Sequence, residues 1–150
     1  MATIVPPLNS ATLAALANDA RSAAEKAYAP YSRFHVGAAL LCADGRIFTA
    51  ANVENVSYGL SLCAEANVIA AAAVAGNRQT AAIAVTGYRA ADPQTPVLAM
   101  PCGRCRQILA EFATAETLIH VVPFPADRGT AKTMTMAELL PFSFGAEALG

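Results

Sequence analysis

The 150-residue sequence has few of the features that mark nucleic acid-binding proteins. Only two lysines occur, no basic block or stripe is present, and the formal net charge is −1. Tight binding to a nucleic acid polymer needs several clustered Lys or Arg side chains that neutralise phosphates. We therefore expect no nucleic acid partner.

Long apolar runs are also missing, although 55% of the residues are hydrophobic, only 14% are charged and the mean hydropathy is +0.41. A membrane span needs roughly 18 consecutive apolar residues. Two interpretations of the apolar composition compete: a membrane protein, or a subunit that buries additional surface in an oligomer. The second is favoured, with no membrane partner, because polar residues interrupt the alanine-rich stretches at Asn18, Asp19, Arg21, Glu65 and Asn67.

The N-terminal stretch MATIVPPLNS lacks a basic region followed by an apolar one. We therefore expect no signal peptide and a cytoplasmic location. In a reducing compartment, paired cysteines are more often metal ligands or catalytic groups than disulfides. The length fits a single domain over residues 1–150.

Periodicity and turn residues predict the order α-β-β-α-β-α-β-α, with room for one more short strand. A helix over ATLAALANDARSAAEKAYA is capped by Asn9 or Ser10 and ended by Pro30. Further helices are predicted over CAEANVIAAAAVA, over CGRCRQILAEFA with Pro101 in its first position, and over TMAELLP. Strands are predicted over FHVGAALLCA, RIFTAANV, AAIAVTGY and TLIHVVPF, which favours a layered mixed sheet with helices on its faces.

The four cysteines include a C-x-x-C pair in PCGRCRQ, which is a redox pair, half of a metal site or a coincidence. Cys63, Cys102 and Cys105 all fall at predicted helix starts, where the positive end of the helix dipole favours thiolates. Three protein ligands leave an open position, as in catalytic zinc sites, whereas structural zinc sites have four. Cys42 would be the fourth ligand, but its place within an apolar strand favours a buried core residue.

Glu65 lies two residues after Cys63 and completes the pattern C-x-E…P-C-x-x-C. Alone, it would be interpreted as an acidic residue that complements the helix dipole. The combined pattern is the one described for zinc nucleobase deaminases, in which the glutamate is a general acid/base and not a ligand. The chemistry is consistent, because zinc lowers the pKa of water toward about 7 and a carboxylate nearby can transfer its proton.

Beyond the zinc pattern, the sequence resembles the small tetrameric cytidine deaminases along nearly its whole length. The matching blocks are YAPYSRFHVGAAL, NVENVSYGLSLCAE, MPCGRCRQ and LLPFSFG, at Tyr28–Leu40, Asn52–Glu65, Met100–Gln107 and Leu139–Gly145. The resemblance implies a zinc-dependent hydrolase that converts cytidine and 2′-deoxycytidine to uridine and 2′-deoxyuridine in pyrimidine salvage. It also implies the fold, a three-layer α-β-α sandwich with a five-stranded mixed sheet.

The resemblance assigns roles to matching residues. Cys63, Cys102 and Cys105 would hold one Zn²⁺ per subunit, and Glu65 would transfer protons. Neither histidine belongs to the pattern, so the site would be of the Cys-Cys-Cys type.

Substrate contacts are implied as well. Asn52 and Glu54 would bind the ribose 3′-hydroxyl, Phe34 would stack on the pyrimidine, and the backbone around Ala64 would meet the base. Without the resemblance, Phe34 would be interpreted as a core residue, and Asn52 with Glu54 as a polar strand end.

Two further residues would act between subunits. Tyr58 and Phe144 would reach a neighbouring subunit's site, so that the homotetramer shares its active sites.

One position departs from the family pattern. Many members read C-A-E-R where this chain has Ala66, and that arginine offsets the negative charge of the thiolates. We hypothesise that Arg104, or as second choice Arg106, places its guanidinium near a sulfur instead.

Alternatives from other classes remain at this point. A deaminase of a cytosine nucleoside analogue such as blasticidin S is the nearest, but NVEN and the C-terminal FSFG match the nucleoside enzymes. A polymer-editing deaminase is disfavoured by the lack of basic residues. A non-catalytic, zinc-stabilised module is disfavoured by Glu65, which a purely structural site does not need.

Overall fold

The computed structural model describes residues 7–150. Most of the stretch MATIVPPLNS, which we predict is not a signal peptide, lies outside the described residues. One five-stranded sheet organises the chain, in the strand order β2-β1-β3-β4-β5. The β3–β4 pair is parallel and the other neighbours are antiparallel. The helices and strands are α1 (Ser10–Ala24), β1 (Phe34–Cys42), β2 (Ile47–Ala51), α2 (Ala64–Val74), β3 (Thr80–Arg89), α3 (Gly103–Phe112), β4 (Ala113–Val121), β5 (Lys132–Thr135) and α4 (Met136–Leu139), with 3-10 turns at Tyr58–Leu60 and Ala146–Leu149.

Helix α1 covers one face of the sheet. Leu16 and Ala20 from α1 pack with alternate residues of the two central strands. Those strand residues are small or aliphatic: Ala39, Leu41, Ala82 and Ala84. Gly37 brings the helix closest, because a side chain there would overlap the Ala20 carbonyl oxygen and the backbone nitrogen of Ala24.

The opposite face carries the other helices over a larger core. Val68 of α2, Leu109 of α3 and Leu139 of α4 pack there. Their partners are the intervening strand residues Ala38, Leu40, Ile83, Val85, Ile119 and Val121. Because successive strand residues point to opposite faces, one apolar run serves both layers. The predicted three-layer α-β-α sandwich with a five-stranded mixed sheet is confirmed.

Two helix boundaries differ from the prediction. Helix α1 ends at Ala24, well before Pro30, because the next residues leave the helix to pair with another segment. There, the amide of Tyr28 donates to the carbonyl of Asn52, and Glu54 donates to the carbonyl of Tyr28. Pro101 precedes α3 and does not occupy its first position, which Gly103 takes.

Local turn signals behave as predicted. Asn9 caps α1 by accepting from the Thr12 amide. Gly45 in the β1–β2 hairpin and Gly76 after α2 have φ of 88° and 90°, which favours glycine. Within residues 7–150, no helix is both long and apolar enough to cross a membrane.

Candidate metal centre and active site

Two helix starts bring three thiols together on the α2–α3 face. Cys63 is the N-cap of α2, Cys102 is the N-cap of α3, and Cys105 lies in the first turn of α3. Their sulfur atoms all lie within 4.8 Å of one another. As N-cap residues, Cys63 and Cys102 lie at the positive ends of α2 and α3, whose first N–H groups favour negative charge at the site.

The three cysteines fit a zinc ion. At Zn–S distances of about 2.3 Å, tetrahedral geometry places sulfurs about 3.8 Å apart, which the observed cluster accommodates. Thiolates are also a soft donor set suited to zinc. Cys42 is not part of this group and lies in the apolar core of β1, only 1% exposed. Three protein ligands match the number found in catalytic rather than structural sites.

The thiols differ in how readily they ionise. Burial raises the pKa values of Cys63 and Cys105. Burial also acts to raise the pKa of Cys102, but the backbone N–H of Cys105 and the neighbouring thiols outweigh it and the pKa is lowered. Cys102 is thus the thiol that gives up its proton most readily.

Glu65 lies beside this cluster in the first turn of α2 and is only 5% exposed. Burial raises the pKa of its carboxyl group above the ordinary value. Its charge in turn acts to raise the pKa values of all three cysteines, which shows how near it lies. A raised pKa makes the protonated form of this carboxyl group easier to reach, as a group that both takes up and releases a proton requires.

A cavity of about 350 Å³ opens onto these groups, a size typical of small-molecule sites. Seven of the predicted site residues line it: Phe34, Asn52, Glu54, Cys63, Ala64, Glu65 and Cys102. The sequence did not single out the remaining lining residues: Ser32, Val36, Ser61, Leu62, Ala99 and Met100. Five of these six residues, all except Ala99, lie in blocks of the family resemblance. That resemblance was the signal that could have identified them.

The side-chain amide group of Asn52 hydrogen-bonds to the backbone of β1. Its Oδ1 accepts from the Val36 amide at 2.8 Å, and its Nδ2 donates to the Phe34 carbonyl at 2.9 Å. The side chain therefore continues the sheet where the β2 backbone departs. This leaves one N–H and one lone pair on the amide group for another partner.

Glu54 holds the turn before β1. Its Oε2 accepts from the amides of Tyr31 at 2.9 Å and Ser32 at 3.1 Å. The pKa of Glu54 is lowered, and hydrogen bonding from Ser32 is the main cause. The carboxylate is thus ionised and its second oxygen is free of these two bonds.

Tyr58 and Phe144 lie outside the cavity lining. Tyr58 is 72% exposed and packs on Tyr31, with ring centroids 6.0 Å apart. Phe144 is 63% exposed, and its carbonyl accepts from Gln107 at 2.9 Å. The structure of one chain does not bring them to its own site, and their predicted action between subunits stays a prediction.

Arg106 hydrogen-bonds to two carbonyl groups, and its predicted placement near a sulfur stays a prediction. Its Nε donates to the Pro101 carbonyl at 2.8 Å and its Nη1 to the Leu139 carbonyl at 3.2 Å. The carbonyl at the end of α4 has no helical partner, so it attracts this cation. Arg104 is exposed, and the hydrogen bonds of residues 7–150 include none from it to a sulfur. The helix starts also place partial positive charge beside the thiolates.

The site geometry agrees with comparisons to known proteins. The family model described as "Cytidine and deoxycytidylate deaminase zinc-binding region" matches residues 11–121. A cytidine deaminase of Halalkalibacterium halodurans is 46% identical over 132 residues, covering 88% of this chain and 93% of that one. One from Mycobacterium tuberculosis is 46% identical over 135 residues, covering 89% and 90%.

Solved structures show the same likeness. The crystal structure of cytidine deaminase from Burkholderia pseudomallei superimposes with a TM-score of 0.75 at 41% identity, covering 87% of this chain and 98% of that one. The enzyme from Mycobacterium tuberculosis superimposes with a TM-score of 0.72 at 43% identity, covering 88% and 96%.

Proposed function

The chain belongs to the cytidine and deoxycytidylate deaminase family, and on that premise we propose that it converts cytidine and 2′-deoxycytidine to the uridine nucleosides, releasing ammonia. The observation that carries this proposal is Glu65, a buried carboxyl group beside the three-cysteine group in a cavity of nucleoside size. A structural metal site needs neither the carboxylate nor the cavity.

Cys63, Cys102 and Cys105 would hold the zinc ion. When bound, zinc supplies a Lewis acid that lowers the pKa of water toward about 7. The helix starts that carry these cysteines place partial positive charge next to the thiolates.

Glu65 would move the protons. Its carboxylate takes a proton from the attacking water and delivers it to N3 of the pyrimidine. It then transfers a proton to the amino nitrogen that leaves C4 as ammonia. Burial favours this role by raising the pKa of the Glu65 carboxyl group above its ordinary value, which makes the protonated form easier to reach.

Phe34, Asn52 and Glu54 would orient the nucleoside. The Phe34 ring offers a flat face to the pyrimidine, and the backbone of Ala64 lies beside the base. The free N–H of Asn52 and the second oxygen of Glu54 suit a sugar hydroxyl, which both donates and accepts. The residues lining the cavity include no Lys or Arg, which favours an uncharged nucleoside over a phosphorylated one.

The oligomer is part of the proposal. Large apolar side chains are exposed on the single chain, including Val56 (74%), Leu60 (65%) and Phe142 (97%). These exposed apolar side chains support burial against other copies of the chain. We propose a homotetramer in which Tyr58 and Phe144 complete neighbouring sites. The four free thiols suit a reducing cytoplasm, where the reaction would serve pyrimidine salvage.

The test is the loss of cytidine absorbance when substrate is mixed with zinc-loaded protein. We expect turnover by the wild type, whereas Glu65→Gln should keep its zinc and its fold and lose about 10²- to 10⁴-fold in kcat. Absence of turnover by zinc-loaded wild type would remove the proposal. Blasticidin S in a parallel assay tests the alternative substrate, and a strong preference for it would replace cytidine.

A further inference from the structure

Gly87 lies directly behind two residues of the cavity wall. It is buried in β3, opposite Val36 of β1, on the face that carries α2 and α3. A Cβ atom added to Gly87 would lie 2.9 Å from the Ala99 Cβ, and 3.1 Å from both the Phe34 Cζ and the backbone carbonyl oxygen of His35. Phe34 and Ala99 both line the cavity, whereas Gly87 does not.

Space, rather than backbone conformation, explains the glycine at this position. Gly87 is not among the residues with positive φ, so its backbone would accept any L-amino acid. Glycine weakens a strand interior and often marks a close approach by another part of the chain. Here, Ala99, the Phe34 ring and the His35 carbonyl oxygen take the volume that a side chain would occupy.

The backbone of Phe34 is fixed on both sides, so the ring would have to move. Its amide donates to Ser32 Oγ at 3.0 Å, and its carbonyl accepts from Asn52 Nδ2 at 2.9 Å. A methyl group at position 87 would press on the Phe34 ring and on the His35 carbonyl alike. Because the β1 backbone is hydrogen-bonded on both sides, the ring is the part that can turn, and it would turn toward the cavity.

The loop of Ala99 is held as well. Across it, the Met100 amide donates to the Leu98 carbonyl at 2.9 Å, which makes a tight turn at Ala99. Arg106 then holds the Pro101 carbonyl just before Cys102. A displacement at Ala99 is therefore confined to the cavity wall and stops short of the cysteines.

From these contacts we propose that Gly87 is a positioning residue for the substrate. Its missing side chain sets the separation between the Phe34 ring and Ala99, and with it the width of the slot that takes a flat pyrimidine. The proposal rests on the proposed function, because it concerns how that site holds the base.

The test compares Gly87→Ala with wild type by steady-state kinetics on cytidine and by calorimetric binding of uridine. Zinc content and Tm are measured for each protein. We expect Gly87→Ala to raise KM and the uridine dissociation constant about tenfold, the scale of one base–aromatic stack. Because Glu65 and the cysteines do not move, kcat should fall less than about threefold and zinc content should not change.

Two more variants separate positioning from general damage. Leu13→Ala removes a partly buried side chain on the α1 face, so it should lower Tm and leave KM unchanged. Gly87→Ala combined with Ala99→Gly removes the 2.9 Å contact. KM should therefore fall most of the way back to the wild-type value.

Several outcomes would overturn the proposal: a folded Gly87→Ala protein with wild-type KM and uridine affinity, or a KM rise in Leu13→Ala as large as in Gly87→Ala. If Gly87→Ala does not fold, failure of the double variant to fold also overturns it. A wild type that binds uridine but does not turn over cytidine removes the proposed function alone, and uridine affinity then decides the role of Gly87. A wild type that binds no uridine removes both.

Discussion

The two faces of the sheet are built differently, and the difference separates stability from chemistry. On the α1 face, one helix packs closely through small residues, and Gly37 leaves no space between helix and strand. On the other face, three helices pack over larger side chains, and the starts of α2 and α3 meet beside a cavity. Close packing of small residues stabilises the α1 face, whereas helices that begin at the edge of a core bring N–H groups and thiols to one point.

The largest expected effect comes from removing one of the three thiols without changing the packing of the helices. Cys102→Ser removes one thiolate but keeps a residue that is favoured at an N-cap, so α3 should remain as stable. We expect zinc content to fall well below one per chain and turnover to fall at least about a thousandfold, because Lewis-acid catalysis is worth several kcal/mol. The Tm of the metal-free protein should not fall.

Cys42→Ser is the matched control for that variant. It places a hydroxyl in the apolar core of the same face and should lower stability by about 1–2 kcal/mol while zinc content stays the same. Normal zinc content in Cys102→Ser, or loss of zinc in Cys42→Ser, would contradict the assignment of the metal group.

The next largest effect comes from disturbing the packing of α1 on the sheet without changing the active site. Gly37→Ala forces a methyl group against the backbone of α1, and backbone atoms cannot turn aside as a side chain does. We expect a loss of at least about 3 kcal/mol in the free energy of unfolding, the upper end for overpacked cores. Denaturant titration measures it, and whatever folded protein remains should have wild-type KM.

Gly59→Ala provides the comparison for that substitution, because a Cβ atom there meets nothing within 4 Å. Its unfolding free energy should stay within about 0.5 kcal/mol of wild type. Equal stability of the Gly37 and Gly59 variants would show that α1 is free to move away from the sheet.

The smallest expected effect is a pH dependence of stability that arises on the α1 face. His120 lies on the α1 face of β4, where burial and then the charge of Arg21 lower its pKa below 6.5. A lowered histidine pKa means that the neutral form is favoured by folding, so stability is full above about pH 6.5 and is lost as pH falls through the folded pKa. His120→Gln should remove that part of the acid sensitivity.

We expect this change to be less than about 2 °C in Tm between pH 7 and pH 5. The measurement is the difference in Tm between the two pH values, for wild type and variant. Identical pH dependence in both proteins would show that His120 titrates as it does in the unfolded chain.

Local signals explain how much of the fold could be predicted. Alternating strand residues, the Asp-Gly turn at Gly45 and the stop at Gly76 act within a few residues, and each is confirmed. The family resemblance is confirmed as well, and the structure brings Cys63, Cys102 and Cys105 together. The end of α1 could not be predicted from Pro30, because the pairing of Tyr28 with the chain around Asn52 is a long-range contact.

Long-range contacts likewise explain what was missed in the site. One carbonyl that Arg106 binds comes from the distant α4. The two bonds of Asn52 to β1 depend on where β2 departs, and the closeness of Gly87 to Ala99 depends on the path of a loop. Neither of these two contacts can be predicted from the local periodicity of the sequence.

The placement of the three thiols also determines when the site can form during folding. Cys63 precedes α2 and Cys102 follows β3, so α2 and β3 lie between the two thiols in the chain and must be placed before the thiols can meet. Pairing of distant segments is slow relative to helix and hairpin formation. The full set of three thiols therefore exists only where α2 and α3 have packed together, which couples zinc binding to the folding of the chain.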